Sequence, residues 1–149
     1  MDSNIHPEAA VAPGYLATHA SRVFHRVVDA RLREHGLTLP LIGPLLLLSW
    51  KGAMLQRDLV RDSAIKQPAM AALLDKLESM ALIGRVVLPS DKRAATVRLT
   101  DAGASAAATG KRILREVNAL GVTGMSDQEA QALVALLGRL IANLEDAPG

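Results

Sequence analysis

Residues 86–99 carry the one pattern typical of β-structure in a chain whose other apolar residues recur at helical spacing. Residues 86–88 form an apolar run, and residues 96–100 alternate between polar and apolar side chains, as in a half-buried strand. Turn-forming residues lie between the two runs and predict a small hairpin. At or near its tip lie Asp91, Lys92 and Arg93. Because Ala and Leu, which favour helix, dominate the composition, the expected fold class is mainly α.

The chain before the hairpin begins with two predicted helices. Apolar spacing indicates a first helix over residues 15–35, which Gly36 ends, and Thr38 is placed to cap a second helix through about Trp50. Pro44 does not fit a helix interior, so the second helix is expected either to start late or to bend there. Trp50 is assigned to the core or to a domain junction.

Two shorter helices follow, and their connection predicts a helix-turn-helix. The first covers roughly residues 55–61, and a tight connection over residues 62–66 leads to a helix with Pro68 in its first turn. The apolar face of this helix consists of Met70, Leu73, Leu74 and Leu77. The hairpin comes directly after it.

The chain after the hairpin predicts two long helices. The first opens at residues 100–101 and runs to about Leu120, after which Gly121 and Gly124 break the chain. Residues 126–129, Ser-Asp-Gln-Glu, form a capping box that opens the last helix. The apolar stripe of the last helix consists of Ala130, Leu133, Val134, Leu137, Leu140, Ile141 and Leu144.

Composition argues against several classes of site. Without Cys, the chain has no disulfide framework, thiol nucleophile or Cys-ligated metal. The four histidines offer no pair on one helical face, so neither a metal site nor a cofactor is expected. No serine lies in a nucleophile-elbow motif, so the chain is not expected to be an enzyme. The longest apolar stretch is broken by prolines and no signal peptide is visible, which predicts a soluble, cytoplasmic protein with no membrane partner.

Charge is distributed unevenly along the chain, although the net charge is only +2. Residues 51–100 hold nine Lys and Arg against five Asp and Glu, whereas the rest of the chain is slightly acidic. A local basic excess of this kind suits a docking face for an anionic polymer. An ordinary solvated surface is the alternative that charge alone leaves open.

A helix-turn-helix followed by a basic hairpin is the winged-helix order, and here the sequence resembles the MarR family of bacterial transcriptional regulators. GLTLPLIGPLLLL over residues 36–48 is similar to the family's Gly-Leu-Thr and the apolar helix after it. Residues 59–85 follow the family pattern without a gap, and DKRAATVRLTDAG over residues 91–103 matches the wing signature D-x-R-x-x-x-(apolar)-x-L-T-x-x-G. The resemblance covers about residues 15–145.

The resemblance implies a homodimer that binds double-stranded DNA. Residues 15–36 and 101–146 would supply the dimerisation helices, and residues 37–100 the winged helix-turn-helix. Residues 1–14, which lack periodicity, are expected to form a flexible arm. The dimerisation contacts would come from Phe24, Leu133, Leu137, Leu140 and Leu144. By this resemblance the second helix of the motif enters the major groove and the wing reaches an adjacent minor groove.

The candidate DNA contacts lie on that second helix and on the wing. They are Lys66, Gln67, Pro68, Ala69, Ala72, Lys76, Lys92 and Arg93. The resemblance places Arg93 in the minor groove, with Asp91 bracing it. Arg85 is expected to support the wing through a salt bridge inside the wing. Gln67 is the best candidate for reading a base, because Gln can pair with adenine.

The predicted function is that of a dimeric DNA-binding regulator, a repressor released from a pseudo-palindromic operator by a small lipophilic or phenolic effector. A pocket bordered by His19, Arg22 and His25 is the candidate effector site. The alternative is a winged-helix dimer that acts as a protein-interaction module with little specific DNA binding. Residues 69, 71 and 72 favour this alternative, because they are alanines where the family often has Thr, Ser or Arg. In a further departure, Ala81 stands where the family usually has Gly.

Overall fold

The computed structural model describes residues 4–149, without the side chains of residues 87, 88 and 91–93. In chain order its elements are a 3₁₀ turn at Ala9–Val11, α1 (Pro13–Arg33), α2 (Leu39–Lys51), β1 (Met54–Leu55), α3 (Gln56–Asp62), α4 (Gln67–Ser79), β2 (Ile83–Leu88), β3 (Asp91–Leu99), α5 (Asp101–Gly121) and α6 (Asp127–Glu145). Helices dominate, and α3 and α4 are followed by the hairpin of β2 and β3. The predicted fold class, mainly α with a winged helix-turn-helix, is confirmed.

The hairpin formed by β2 and β3 is the predicted wing. Its turn lies at residues 89–90, between the paired residues Leu88 and Asp91. Lys92 and Arg93 therefore lie in β3 just beyond the turn, which is near the tip as predicted. Their side chains, like that of Asp91, fall outside the described part of the structure.

The strand β1 was not predicted, and it replaces the start of the helix expected over residues 55–61. Met54 pairs with Val97 and Leu55 with Thr96, so that β3 lies in the middle of an antiparallel sheet of order β1-β3-β2. The helix accordingly begins one residue later, at Gln56. This pairing ties the entrance of the helix-turn-helix to the wing.

The start of α2 is capped from a neighbouring helix. The Leu39 N–H donates to Oδ1 of Asp29 on α1 at 3.0 Å, whereas the Thr38 side chain makes no capping hydrogen bond. Thr38 therefore occupies the predicted N-cap position, but the side chain that accepts a free N–H at this helix start is that of Asp29 and not its own. α2 also continues through buried Pro44, so it does not start late. Pro44 has no N–H for the Pro40 carbonyl, and one helical hydrogen bond is lost there.

Two further observations concern the ends of α1 and α2. Trp50 near the end of α2 is 76% exposed, and the Lys51 ammonium lies 5.1 Å from its ring centroid. Its assignment to the core is therefore wrong.

Within the region expected to be a flexible arm, the structure has the 3₁₀ turn, and α1 begins at Pro13 rather than at Tyr15.

The chain divides into two compact units within α5, between Arg115 and Glu116. The core of the first unit includes residues from α1, α2, α3, α4 and β3. Apolar side chains with 0% exposure there are Val28, Leu32, Leu45, Leu59, Met70, Leu74, Leu77 and Val97, together with Ala107 on α5. The second unit contains α6, whose predicted capping box is confirmed. Ser126 Oγ accepts from the Glu129 N–H at 3.1 Å, and Glu129 Oε1 accepts from the Ser126 N–H at 2.9 Å.

α4 ends in a Schellman motif in which an alanine occupies the left-handed position. The Leu82 N–H donates to the Leu77 carbonyl at 3.0 Å, and the Ala81 N–H donates to the Glu78 carbonyl at 2.9 Å. Ala81 has a φ of 60°, a conformation that strains any residue with a Cβ and that favours Gly at this site. The family's usual Gly is therefore explained by backbone geometry, and its replacement by Ala carries a cost.

We expect Ala81→Gly to raise the free energy of unfolding by about 1 kcal/mol. The relief of left-handed strain exceeds the extra entropy that Gly gives the unfolded chain. Urea unfolding measures the difference. As a matched control, Ala20→Gly on an exposed position of α1 should lower stability by about 1 kcal/mol, since Gly is a poor helix former. If both variants lost stability equally, Ala81 would not be strained.

Candidate nucleic-acid interface

α4 has one buried face and one exposed face, and the predicted DNA contacts lie on the exposed one. Met70, Leu74 and Leu77 are completely buried. The exposed residues of the helix include Pro68, Ala69, Ala72 and Lys76, and Lys66 at the N-cap position is exposed as well. Gln67, the first helical residue, is half-buried. The structure thus brings six predicted residues to the start and outer face of one helix.

The carboxylate of Asp62 joins the ends of α2 and α3. It accepts hydrogen bonds from Lys51 Nζ at 3.0 Å and from Arg61 Nε at 2.9 Å. These two cations hold the pKa of Asp62 at about 2, below its usual value. In the connection that follows, Ser63 Oγ accepts from the Ile65 N–H at 3.2 Å. The turn before α4 is therefore held by side chains as well as by the backbone.

Arg85 joins the wing to α4. Its guanidinium extends from β2 and pairs with Asp75 Oδ1 at 2.6 Å and with Glu78 Oε1 at 3.1 Å. The hydrogen bond from Arg85 lowers the pKa of the Glu78 carboxyl, and the same bond raises the pKa of Arg85. The salt bridge was expected inside the wing, but it crosses to α4. Arg85 thus positions the wing relative to the helix expected to enter the major groove.

The base of the wing is fixed by Thr100 and by a glycine in α5. Thr100 Oγ1 donates to the Ala81 carbonyl at 2.7 Å and accepts from the Gly103 N–H at 3.1 Å. A Cβ added to Gly103 would lie 1.8 Å from the carbonyl oxygen of Leu82. The signal for the role of Gly103 was present in the wing signature, where L-T-x-x-G ends on this residue.

An open, mainly apolar groove runs along the exposed face of α4. It encloses about 490 Å³ and is lined by Thr38, Pro40, Leu41, Ala69, Ala72, Leu73 and Lys76. One wall comes from the start of α2 and the other from α4. None of the lining residues is acidic, and Lys76 contributes a cation. Sequence reasoning assigned Ala69, Ala72 and Lys76 to DNA contacts, but it gave no indication of the α2 wall.

The residues predicted to form an effector pocket lie elsewhere, on α1. His19 is half-buried and stacks on Tyr15, with their ring centroids 6.1 Å apart. Arg22 and His25 are exposed. None of the three lines the groove on α4.

The predicted dimerisation residues are largely accessible in the single chain. On α6, the exposed fractions are 39% for Leu133, 40% for Leu137 and 64% for Leu144. Leu140 and Phe24 are half-buried. A row of large apolar side chains on one helix is thus left open to solvent.

Residues 4–149, the described part of the chain, offer neither a cluster of metal ligands nor a helix that could cross a membrane. They contain no group of three or more His, Asp or Glu side chains placed to hold a metal ion. None of their helices combines the length and apolar character needed to span a bilayer.

No family model matches the chain, but solved structures do. The transcriptional regulator PA3341 is 31% identical, with a TM-score of 0.72, over 90% of this chain and 98% of its own. A variant of MarR from E. coli, solved in complex with operator DNA, is 20% identical, with a TM-score of 0.75, over 91% of this chain and 99% of its own.

A third structure concerns BpsR from Bordetella bronchiseptica and the regulation of its DNA binding by 6-hydroxynicotinic acid. It is 23% identical, with a TM-score of 0.74, over 85% of this chain and 96% of its own. Regulators described as MarR or as MarR-family proteins recur among the structures that match. All of these similarities extend over most of both chains.

Proposed function

Because the chain belongs to the MarR family of DNA-binding transcriptional regulators, we propose that it acts as a homodimeric repressor. The dimer occupies a pseudo-palindromic operator and leaves it when a small lipophilic or phenolic effector binds. Occupancy of the operator blocks transcription sterically. The chain acts by binding DNA, and it needs neither a cofactor nor a metal for this role.

The observation that carries this proposal is the exposed face of α4 beside a wing held by Arg85. α4 enters the major groove, with Lys66 and Gln67 at its N-terminal end, where base contacts concentrate in helix-turn-helix proteins. Gln67 reads an adenine edge, and Lys76 contacts a phosphate. The wing follows the adjacent minor groove, where Lys92 contacts a phosphate. The negative potential of a narrow minor groove attracts the guanidinium of Arg93.

The exposed apolar side chains of α6 support a dimer. Val134, Ile141 and Leu144 are 71%, 53% and 64% exposed, which is unusual for a monomer. A second copy of the chain covers them, with residues 15–36 and 101–146 as the dimerisation helices. Residues 37–100 then form one winged helix-turn-helix per protomer. The two copies of α4 contact half-sites about one helical turn apart.

The effector acts by preferring one of two dimer states. A ligand shifts such an equilibrium only as far as its affinities for the two states differ. BpsR supports this class of regulation, because 6-hydroxynicotinic acid regulates the DNA binding of that protein. His19, Arg22 and His25 on α1 are the proposed effector contacts, since their polar groups could hold a phenolate or carboxylate.

Arg93→Ala tests the wing's part in DNA binding. Duplexes are selected from the DNA upstream of the protein's own gene, and Arg93→Ala is expected to bind them about 1–3 kcal/mol more weakly than the wild type. The salt dependence of binding should also fall by about one ion for each phosphate that is no longer neutralised. Fluorescence anisotropy at several salt concentrations measures both quantities.

Arg26→Ala is the matched control, because it removes the same charge from an exposed position on α1. It should leave the affinity for the operator unchanged. Equal operator affinities for the wild type and Arg93→Ala would show that the wing does not contribute to DNA binding through Arg93. Failure of the wild type to select any duplex would instead favour the interaction-module alternative.

A further inference from the structure

The groove along α4 has a property that the proposed contacts of Lys66, Gln67 and Lys76 do not explain. Five of its seven lining residues are apolar: Pro40, Leu41, Ala69, Ala72 and Leu73. Ala69 and Ala72 are exposed on the face of α4 that is expected to meet base edges. Alanine side chains neither donate nor accept hydrogen bonds, so they cannot read the polar pattern of a base pair.

The base edges in the major groove of DNA offer one apolar group, the C5 methyl of thymine. An apolar surface that enters this groove therefore has one kind of base partner that it favours. We infer that the groove between α2 and α4 reads thymine through its C5 methyl group, with Ala69 and Ala72 as the contacting residues. This inference rests on the proposed entry of α4 into the major groove.

The surroundings of the groove favour DNA over a small apolar molecule as its occupant. Lys76 lines the groove and Lys66 stands exposed at the start of the same helix, so cations are available for phosphates. No acidic residue lines the groove. The groove is open along its length, whereas sites for small molecules usually bury most of the ligand. Thr38 supplies a hydroxyl at the α2 wall.

The N-terminus of α2, which forms one wall of the groove, is poorly suited to bind an anion such as a DNA phosphate. The Leu39 N–H already donates to Asp29 at 3.0 Å, and Pro40 has no N–H. The Leu41 and Ile42 N–H groups donate to the Thr38 carbonyl at 3.1 and 3.3 Å. This helix start therefore has few donors left for a phosphate, and it presents the carbon atoms of Pro40 and Leu41 to the groove.

Replacement of thymine by uracil tests the inference, because it removes the methyl group and leaves base pairing unchanged. Duplexes are first selected from a random pool with the full chain. Each thymine of the selected site is then replaced singly by deoxyuridine, and affinities are measured by anisotropy at fixed salt. At one or two thymines of each half-site, the replacement should lower affinity about fourfold, the size expected for one buried methyl group.

Ala72→Ser tests the protein side of the same contact. The added hydroxyl places a polar group where the methyl would lie, so the variant's preference for thymine over uracil should fall towards one at a sensitive position. Ala71→Ser is the control, because Ala71 is half-buried and does not line the groove. It should keep the fourfold preference. Circular dichroism checks that both variants fold.

The outcomes separate this inference from the proposed function. Salt-dependent selection of a motif in which every deoxyuridine substitution is neutral would overturn thymine reading and leave DNA binding intact. If no duplex were selected, both proposals would fail. If Ala72→Ser does not fold, the deoxyuridine replacements in the DNA bound to the wild-type protein still test whether thymine methyl groups are read.

Discussion

Gly103→Ala is expected to destabilise the protein by about 3 kcal/mol or more, because the added Cβ has no space. It would lie 1.8 Å from the Leu82 carbonyl oxygen and 2.9 Å from the carbonyl carbon. Both belong to the backbone, so no side chain can rotate to make room. The Leu82 carbonyl also accepts the Thr100 N–H at 3.1 Å, and any shift of α5 disturbs the base of the wing.

Thermal and urea unfolding measure this effect, which corresponds to a loss of roughly 10 °C in Tm for a chain of this size. Gly14→Ala is the matched control, because a Cβ at this helical glycine meets no atom within 4 Å. That variant should be as stable as the wild type or slightly more stable. Equal unfolding temperatures for Gly103→Ala and wild type would show that α5 moves aside at little cost.

The features predicted correctly from the sequence depend on contacts between near neighbours in the chain. Gly36 ends the first helical region with a φ of 71°, as its position after the apolar pattern indicated. The capping box of Ser126 and Glu129 joins residues three apart, and both its hydrogen bonds form. The alternation of residues 96–100 marked β3, because one face of that strand is buried in the core.

The features that were missed depend on contacts between distant parts of the chain. The Asp29 carboxylate caps α2 from ten residues away, and no local pattern distinguishes it from an ordinary solvated Asp. Strand β1 has two residues and exists because Met54 and Leu55 pair with β3, more than forty residues later. The ion pairs of Arg85 likewise needed the placement of β2 against α4.

In the candidate site, too, local features were predictable from the sequence and contacts between separate elements were not. The spacing of Met70, Leu74 and Leu77 was enough to identify the buried face of α4, and hence the exposed alanines opposite it. The groove was not predictable, because its second wall comes from Pro40 and Leu41 on a separate helix. The closeness of Gly103 to Leu82 is also a matter of packing between elements, although the family signature ends on that glycine.

Leu137→Asp is expected to break the proposed dimer and, with it, operator binding. Leu137 lies on the apolar stripe of α6 and is 40% exposed in the single chain, so a second copy would bury it. An unpaired carboxylate at such a seam costs several kcal/mol. Light scattering at micromolar concentration should give twice the 15.8 kDa chain mass for the wild type and the mass of one chain, or unfolded protein, for the variant.

Ala135→Asp adds the same charge on the opposite side of α6, at an exposed position. Because Ala135 lies away from the apolar stripe, this variant should keep the dimer mass and the DNA affinity of the wild type. It therefore distinguishes disruption of the dimer interface from a general effect of the added charge. Because both half-sites must be occupied together, a dissociated protomer should bind the operator at least tenfold more weakly. A wild-type protein that is monomeric, well folded and still bound tightly to its operator would contradict the dimer, and the exposed stripe of α6 would then need another partner.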